Sequence, residues 1–531
     1  MSGDTTLLIT GVRVRGTASA GASALLVEGG TIRAVGDGDL VEASGGTRRI
    51  DLDGRVITPG FIDAHVHPLA AELALGGVSV TPDSTVEECW QQVRTAAASA
   101  SAGSWVVVAG YSAIRFSAER ITRRELDAVE AEHPVVLINS DRHGALANTA
   151  ALHASGLLDA ESGFLERSDD GAPTGIVNES TLNALFAAVA PPDAATQQRV
   201  MRAAQRRLHA LGIVGWQDAF IGEIQGSPDA SAAYRSLAEG GLLTARVSGA
   251  LGWDRNRGLD QIDELVARRA ELPLGRFSAP AVKIFVDGVH ESGTAAMRAD
   301  YFDASGAPLG HNGVLAIEPE LLKTAVCRLD ALDFDVHLHA LGDRAVHEGL
   351  DTLAAARRSN GHRGTRHQIA HVTFLENGDA ERFRALDVTL NLQPVWTADD
   401  FLDFDQYLRY VGPEPMGRMS RLADWTRAGV RFAMGSDWPV STPDPLLGIH
   451  AAVHRSLTRD STARFAEQAL TRDAAWQAYT AGSAWSSRLD GSGRLEAGSL
   501  ADFVVWDGDP FDDEVESSVA QTWISGEVVH G

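Results

Sequence analysis

Cysteine is nearly missing from this chain: Cys89 and Cys327 are the only two among 531 residues. Two thiols so far apart in sequence provide neither a disulfide framework nor a cysteine-type zinc site, and they suit a reducing cytosol. Long apolar runs are absent too, none approaching the roughly 18 residues a membrane helix needs. The N-terminus, Met1-Ser-Gly-Asp-Thr-Thr, lacks a basic segment and a long apolar one. No secretion signal is therefore expected, and the expected compartment is cytoplasmic. Positive charge is in deficit: 46 Lys and Arg face 71 Asp and Glu, a formal charge of −25. A field of that sign repels phosphate backbones and anionic lipid, which argues against a nucleic-acid or membrane partner. What remains is 44% hydrophobic and 22% charged, the composition of an ordinary soluble globular protein.

Both ends read as short strands separated by glycine turns. Residues 7–14, 24–28, 31–35 and 49–57 are candidate strands, and Gly493-Arg-Leu-Glu-Ala-Gly-Ser-Leu-Ala-Asp-Phe and the stretch after Thr522 repeat that texture. The two ends, 1–58 and 486–531, are expected to pair into one small β domain. Between them, 59–485 alternates β-branched runs with alanine-rich helical stretches, the βα pattern of a parallel barrel. Strand candidates lie at 60–65, 135–138, 212–218, 245–250, 281–287, 335–339, 367–371, 388–393 and 431–437. That is nine for an eight-stranded barrel, so one is auxiliary. The stretch from about 76 to 207 is too long for a βα connection and reads as an insertion that roofs the site.

The chemistry concentrates where apolar strands give way to polar loops. Val56-Ile-Thr-Pro-Gly-Phe-Ile-Asp-Ala-His-Val-His-Pro places His65 and His67 on one strand face, about 6.6 Å apart, so both imidazoles converge on one ion. With 17 histidines in the chain, about 0.5 such pairs arise by chance. Position strengthens the pair, because barrel enzymes keep their chemistry at the C-terminal mouth. His339, His371 and Asp437 close three further candidate strands. His337 and His367 share faces with them, but His367 lies roughly 13 Å down an extended strand from that mouth. His339 and His371 are the expected ligands, His337 and His367 supporting or core groups. Lys283 lies inside the apolar run Ala281-Val-Lys-Ile-Phe-Val-Asp-Gly, where an ammonium is costly unless a carboxylate pairs with it or its pKa falls. Two readings follow. One, which the residues alone favour, is an ion pair with Asp287 or an edge lysine that snorkels to solvent; the other is a neutral amine that takes up carbon dioxide to form a carbamate able to bridge two metals.

These segments together resemble the amidohydrolase superfamily, and within it the amidohydrolase-3 branch, whose members include N-substituted formamide deformylases. Pro59-Gly-Phe-Ile-Asp-Ala-His-Val-His is similar to the first-strand motif, and Val282-Lys-Ile-Phe-Val-Asp-Gly-Val-His-Glu-Ser-Gly-Thr-Ala to the lysine strand and its loop. His337-Leu-His-Ala-Leu-Gly-Asp-Arg-Ala-Val is similar to the fifth strand, Gly435-Ser-Asp-Trp-Pro-Val to the eighth, and the Gly493 segment to the return into the small domain. The resemblance implies a distorted (β/α)8 TIM barrel with a small β-sandwich-like domain built from both termini and an insertion after the first barrel strand. It implies a binuclear divalent-metal centre, zinc by default, with His65 and His67 on one ion and His339 and His371 on the other. Carboxylated Lys283 would bridge them, a single ion being the alternative. Asp437 would ligate metal and act as general base, then acid.

The residues depart from the pattern at His367, where many relatives carry arginine, and at Ala370, where many carry glutamate. Neither is a ligand, so the departures bear on pocket polarity. Asp141-Arg-His-Gly-Ala-Leu-Ala-Asn-Thr-Ala-Ala-Leu resembles a branch feature near the mouth. Within it His143 is a candidate for substrate contact and oxyanion stabilisation, and Asn148 for a helix cap. His290, Trp396 and Trp438 complete the candidate substrate contacts. Superfamily habit implies a homodimer.

The expected function is hydrolysis of a non-peptide C–N bond in a small molecule, favouring N-substituted formamides or related N-acyl amines. Metal-activated hydroxide would attack and Asp437 would move the proton. Cyclic amides, carbamates and esters suit the same site. From other classes come a metal- or ligand-binding regulator without turnover, which has little need of Asp437, and an aldose-type isomerase, which the β-rich ends do not support.

Overall fold

A computed structural model describes residues 6–531 apart from 82, 141, 161–164, 179, 190, 225–226, 304, 459, 462 and 513–515; Asp141 of the stretch above thus lies outside the described residues. Arg48–Pro59 is the strand on which the two ends meet. On one side it pairs in parallel with Thr6–Val14, and on the other antiparallel with Phe503–Asp507, Phe503 opposite Pro59. Ala24–Glu28 and Thr31–Gly36 extend the sheet at one edge, and Ser518–Ile524 and Glu527–His530 at the other. One face buries Ile9, Val12, Leu25, Ile57, Phe503 and Val505 as a small core of its own.

After Gly60 the same strand runs on into the barrel. Its eight parallel strands are β1 (Phe61–Val66), β2 (Ile213–Ile221), β3 (Arg246–Gly252), β4 (Phe277–Phe285), β5 (Asp335–His339), β6 (Gln368–Ala370), β7 (Thr389–Leu392) and β8 (Arg431–Met434), each paired with the next. Between β8 and β1 the barrel is nearly closed: just past β8, the Asp437 amide donates to the His65 carbonyl at 2.7 Å. Nearby, the Asn391 side-chain amide donates to the Ala64 carbonyl at 2.8 Å. All of β1 is buried, as a parallel strand covered on both faces must be. Beneath it Phe61 packs in an aromatic group with Trp476, Tyr479 and Trp506, whose indole nitrogen donates to Thr58 at 2.9 Å. Arg246 at the start of β3 holds the fully buried Asp502 at 2.6 Å. Barrel and small sheet are therefore joined by both apolar packing and a buried ion pair.

Eight of the nine strand candidates form the barrel. The ninth, 135–138, belongs to a separate six-stranded sheet ordered Leu165–Arg167, Pro173–Asn178, Gly144–Ala147, Val135–Asn139, Val106–Tyr111 and Val78–Ser79. The long helix Ala194–Ala210 instead keeps company with the barrel, packing on the helix Pro68–Gly76 and on β2. No helix among the described residues is long and apolar enough to cross a membrane.

The β8–β1 seam depends on a missing side chain. A Cβ on Gly435 would lie 2.4 Å from the His65 amide nitrogen and 2.9 Å from an Asp63 carboxylate oxygen. Gly435→Ala is expected to cost about 1–3 kcal/mol through overpacking and to displace His65. Thermal unfolding with a parallel metal assay checks this; a melting point and metal content equal to those of the unmutated chain would contradict the tight seam.

Candidate metal centre

Alternation along β1 and the residue after it turns Asp63, His65 and His67 to the same side. Asp63 does not reach the cavity: its carboxylate accepts from the Ser436 hydroxyl at 2.6 Å and amide at 3.0 Å, and from the His65 amide at 3.0 Å. Burial pushes its pKa up to about 7. It is a latch that sets the height of His65 against the β8 loop.

A chain of buried polar groups fixes the His65 tautomer. The Asn391 amide donates to Gln368 Oε1 at 2.8 Å, and Gln368 Nε2 donates to Gln217 Oε1 at 2.8 Å. That oxygen also faces His337 Nδ1 at 2.8 Å, so His337 carries its proton on Nδ1 and presents Nε2 as an acceptor. His65 Nδ1, 3.0 Å away, must then be the donor. His65 Nε2 is left as a lone pair facing the cavity, the state a metal ligand requires. Burial, reinforced by Lys283, holds the imidazole far below its ordinary pKa, and burial does the same to His337, His339 and His371.

Around that lone pair the structure assembles the other candidates. Lys283 Nζ, from β4, lies 3.1 Å from His65 Nε2. Asp437 Oδ1 lies 3.6 Å from His65 Nε2 and 3.3 Å from His67 Nε2, and its Oδ2 lies 3.9 Å from His371 Nδ1. His65, His371 and Asp437 form a cluster whose ligand atoms all fall within 4.8 Å of one another. His371 Nδ1 is buried without a hydrogen-bond partner. His339 stands with its ring 4.6 Å from that of His371 and its Nε2 3.2 Å from the Gly288 carbonyl, which leaves Nδ1 unprotonated. His371 and Asp437 have φ of 70° and 54°, left-handed conformations that cost roughly 1–3 kcal/mol each and persist where the surroundings enforce them.

Lys283 is buried, and burial lowers its pKa to about 7 against the opposing pull of Asp437. The ion pair with Asp287 weighed from sequence is not formed. Asp287 lies beyond the end of β4 and accepts instead from the amides of Ala296, Leu341 and Gly342 at 2.9–3.1 Å. His367 is remote from the cavity and bonded to Asp330 at 3.0 Å and Thr365 at 3.2 Å.

His65, His67, Lys283, His339, His371 and Asp437 line one cavity, with His143 and Arg142 from the insertion and an apolar wall that includes Leu69, Phe220, Ile224 and Phe285. The His143 ring is 5.3 Å from that of His339. Asn148 caps the helix Thr149–Ala154, accepting from Ala151 at 2.8 Å. The other three candidate substrate contacts stand outside the lining. His290 is buried among Tyr301, Phe374 and Tyr407. Trp396 stacks on His371 with ring centroids 5.2 Å apart, and Trp438 is packed in the barrel core. Two charged lining residues escaped the sequence reading. Arg142 lies on a loop, where no periodicity marks it. Asp218, held by Tyr234 Oη at 2.8 Å and raised by burial to about 6, ends the second-strand candidate as His65 ends the first, which was a usable signal.

Imidazole lone pairs with carboxylate oxygens suit a divalent zinc, manganese, iron or cobalt ion, and the unsatisfied His371 nitrogen needs such a partner, so the donor set fits a metal. A second cluster, His347, Glu376 and Asp379, is an ion-pair network: Arg298 holds Glu376 at 2.7 Å and Arg382 holds Asp379 at 3.0 Å.

Comparison with known proteins accords with this geometry. Residues 48–530 match the amidohydrolase family. The chain is 27% identical to the N-substituted formamide deformylase of Arthrobacter pascens, covering 98% of this chain and 97% of that protein. It is 26% identical to Protein LONG AFTER FAR-RED 3 of Arabidopsis thaliana, over 91% and 84%. Among solved structures, an uncharacterized metal-dependent hydrolase from Pyrococcus horikoshii OT3 superposes with a TM-score of 0.73 at 25% identity, covering 95% of this chain and 98% of that one. The chain belongs to the amidohydrolase family and is a metal-dependent hydrolase of a small molecule.

Proposed function

We propose that the chain hydrolyses the C–N bond of N-substituted formamides or related N-acyl amines at a binuclear centre. The observation that carries this reading is Lys283: a buried amine that forms no ion pair with a carboxylate among the described residues, 3.1 Å from a histidine whose lone pair faces the same cavity. His65 and His67 would hold one ion, His339 and His371 the other, and Asp437 would contact the first. Uptake of carbon dioxide by the neutral Lys283 amine would form an Nζ–C bond as one C=O π bond opens and one N–H proton is released, and the resulting carbamate would offer anionic oxygen donors to the ions. A bound divalent ion supplies Lewis acidity, acidifying water and polarising the scissile carbonyl.

The chain's own groups do the rest. An Asp437 carboxylate oxygen takes the proton of the attacking water and delivers it to the leaving nitrogen, because an amide anion is too poor a leaving group to depart unprotonated. His143, which lines the cavity from the insertion, would donate to the substrate oxygen. Phe220, Ile224 and Phe285 seat an apolar N-substituent and exclude bulk water. The likeness to a named formamide deformylase along nearly its full length supports the substrate class.

The test is release of formate from N-(2-phenylethyl)formamide by protein purified without chelator. Chelation-sensitive turnover restored by zinc or manganese is expected. Turnover confined to cyclic amides, carbamates or esters would overturn the substrate assignment.

A further inference from the structure

The cavity lining carries a cation that the hydrolytic chemistry above does not use. Arg142 lines the cavity with His143, Lys283 and Asp437. Burial lowers its pKa against the opposing charge of Asp437, and no acidic side chain among the described residues forms an ion pair with it. Its loop is built to hold position. The Arg142 amide donates to the Asn139 carbonyl at 3.1 Å, the Ser140 amide to the Tyr111 carbonyl at 2.9 Å, and the Gly144 amide to Asn139 Oδ1 at 3.0 Å. Arg142 itself sits at φ 64°. Gly144 is packed so closely that a Cβ there would lie 2.5 Å from Asn178 Oδ1. A guanidinium anchored beside a set of metal-type ligands faces repulsion from any bound cation, so what completes it is an anion brought by the substrate.

We infer that Arg142 is a specificity residue that binds a carboxylate on the substrate next to the scissile amide, so that the favoured substrates are N-acyl amino acids with apolar side chains. The planar fork of arginine matches a carboxylate through two parallel hydrogen bonds, and the Leu69, Phe220, Ile224 and Phe285 wall receives the side chain. The inference rests on the N-acyl hydrolase reading and narrows it.

The test compares N-formylphenylalanine with N-(2-phenylethyl)formamide, which lacks only the carboxylate. The unmutated protein is expected to favour the first in kcat/KM, and Arg142→Gln to shrink that preference by about 30-fold, with Arg142→Lys intermediate. Calorimetric titration of both compounds into chelator-treated protein reads the same preference without turnover, so it stands even if neither formamide is hydrolysed, a result that would sink the substrate reading alone. Equal binding of the two compounds, or an equal loss for both in Arg142→Gln, would overturn the inference.

Discussion

Asp437→Asn is expected to lower kcat by at least about 10³-fold, within the range that loss of a positioned acid–base group produces, while leaving the fold intact. The carboxylate lies 3.3 Å from His67 and 3.6 Å from His65, and its backbone amide, which asparagine retains, closes the barrel onto the His65 carbonyl. Asparagine also tolerates the left-handed backbone of this position. Steady-state hydrolysis beside a thermal melt separates the two effects. A variant that melts normally yet turns over at an unreduced rate would remove Asp437 from the mechanism; one that loses its melt would show that the residue is needed first for closure.

Lys283→Ala carries the second large effect. If Lys283 bears the bridging ligand, its loss is expected to reduce bound metal from about two ions to one or none and to cut kcat/KM at least about 10³-fold, beyond the 10–100-fold typical of a supporting group. Stability is expected to change little, because the variant loses packing but also removes a buried amine whose pKa has fallen to about 7. Lowering means the amine becomes neutral as pH rises through that value, so carbamate formation, and with it reloading of chelated protein, is expected to quicken from pH 6 to pH 8 and to depend on bicarbonate. Metal retention at two ions in Lys283→Ala, or reloading indifferent to bicarbonate, would reduce Lys283 to a packing residue.

How much of this was legible before the fold follows from what each signal measures. Histidines and an aspartate at strand ends could be read because a parallel barrel delivers strand ends to one mouth, and His65, His339, His371 and Asp437 line the same cavity. The segment 135–138 was ambiguous because a βα rhythm does not say which sheet a strand joins. Lys283 and Asp287 looked like partners only while the strand was taken to run through both; β4 ends at Phe285, and Asp287 turns to cap three backbone amides. His290 was named a candidate substrate contact from its place after the lysine strand; the sequence could not show that Tyr301, Phe374 and Tyr407 gather around its ring. Arg142 was invisible for the same reason: loop residues acquire their surroundings only from tertiary structure.

Elemental analysis of protein purified without added metal or chelator tests directly whether the site is binuclear. About two divalent ions per chain are expected. One ion would contradict the Lys283 bridge and leave a mononuclear hydrolase; none, with no activity restored by zinc or manganese, would contradict the metal-dependent mechanism itself.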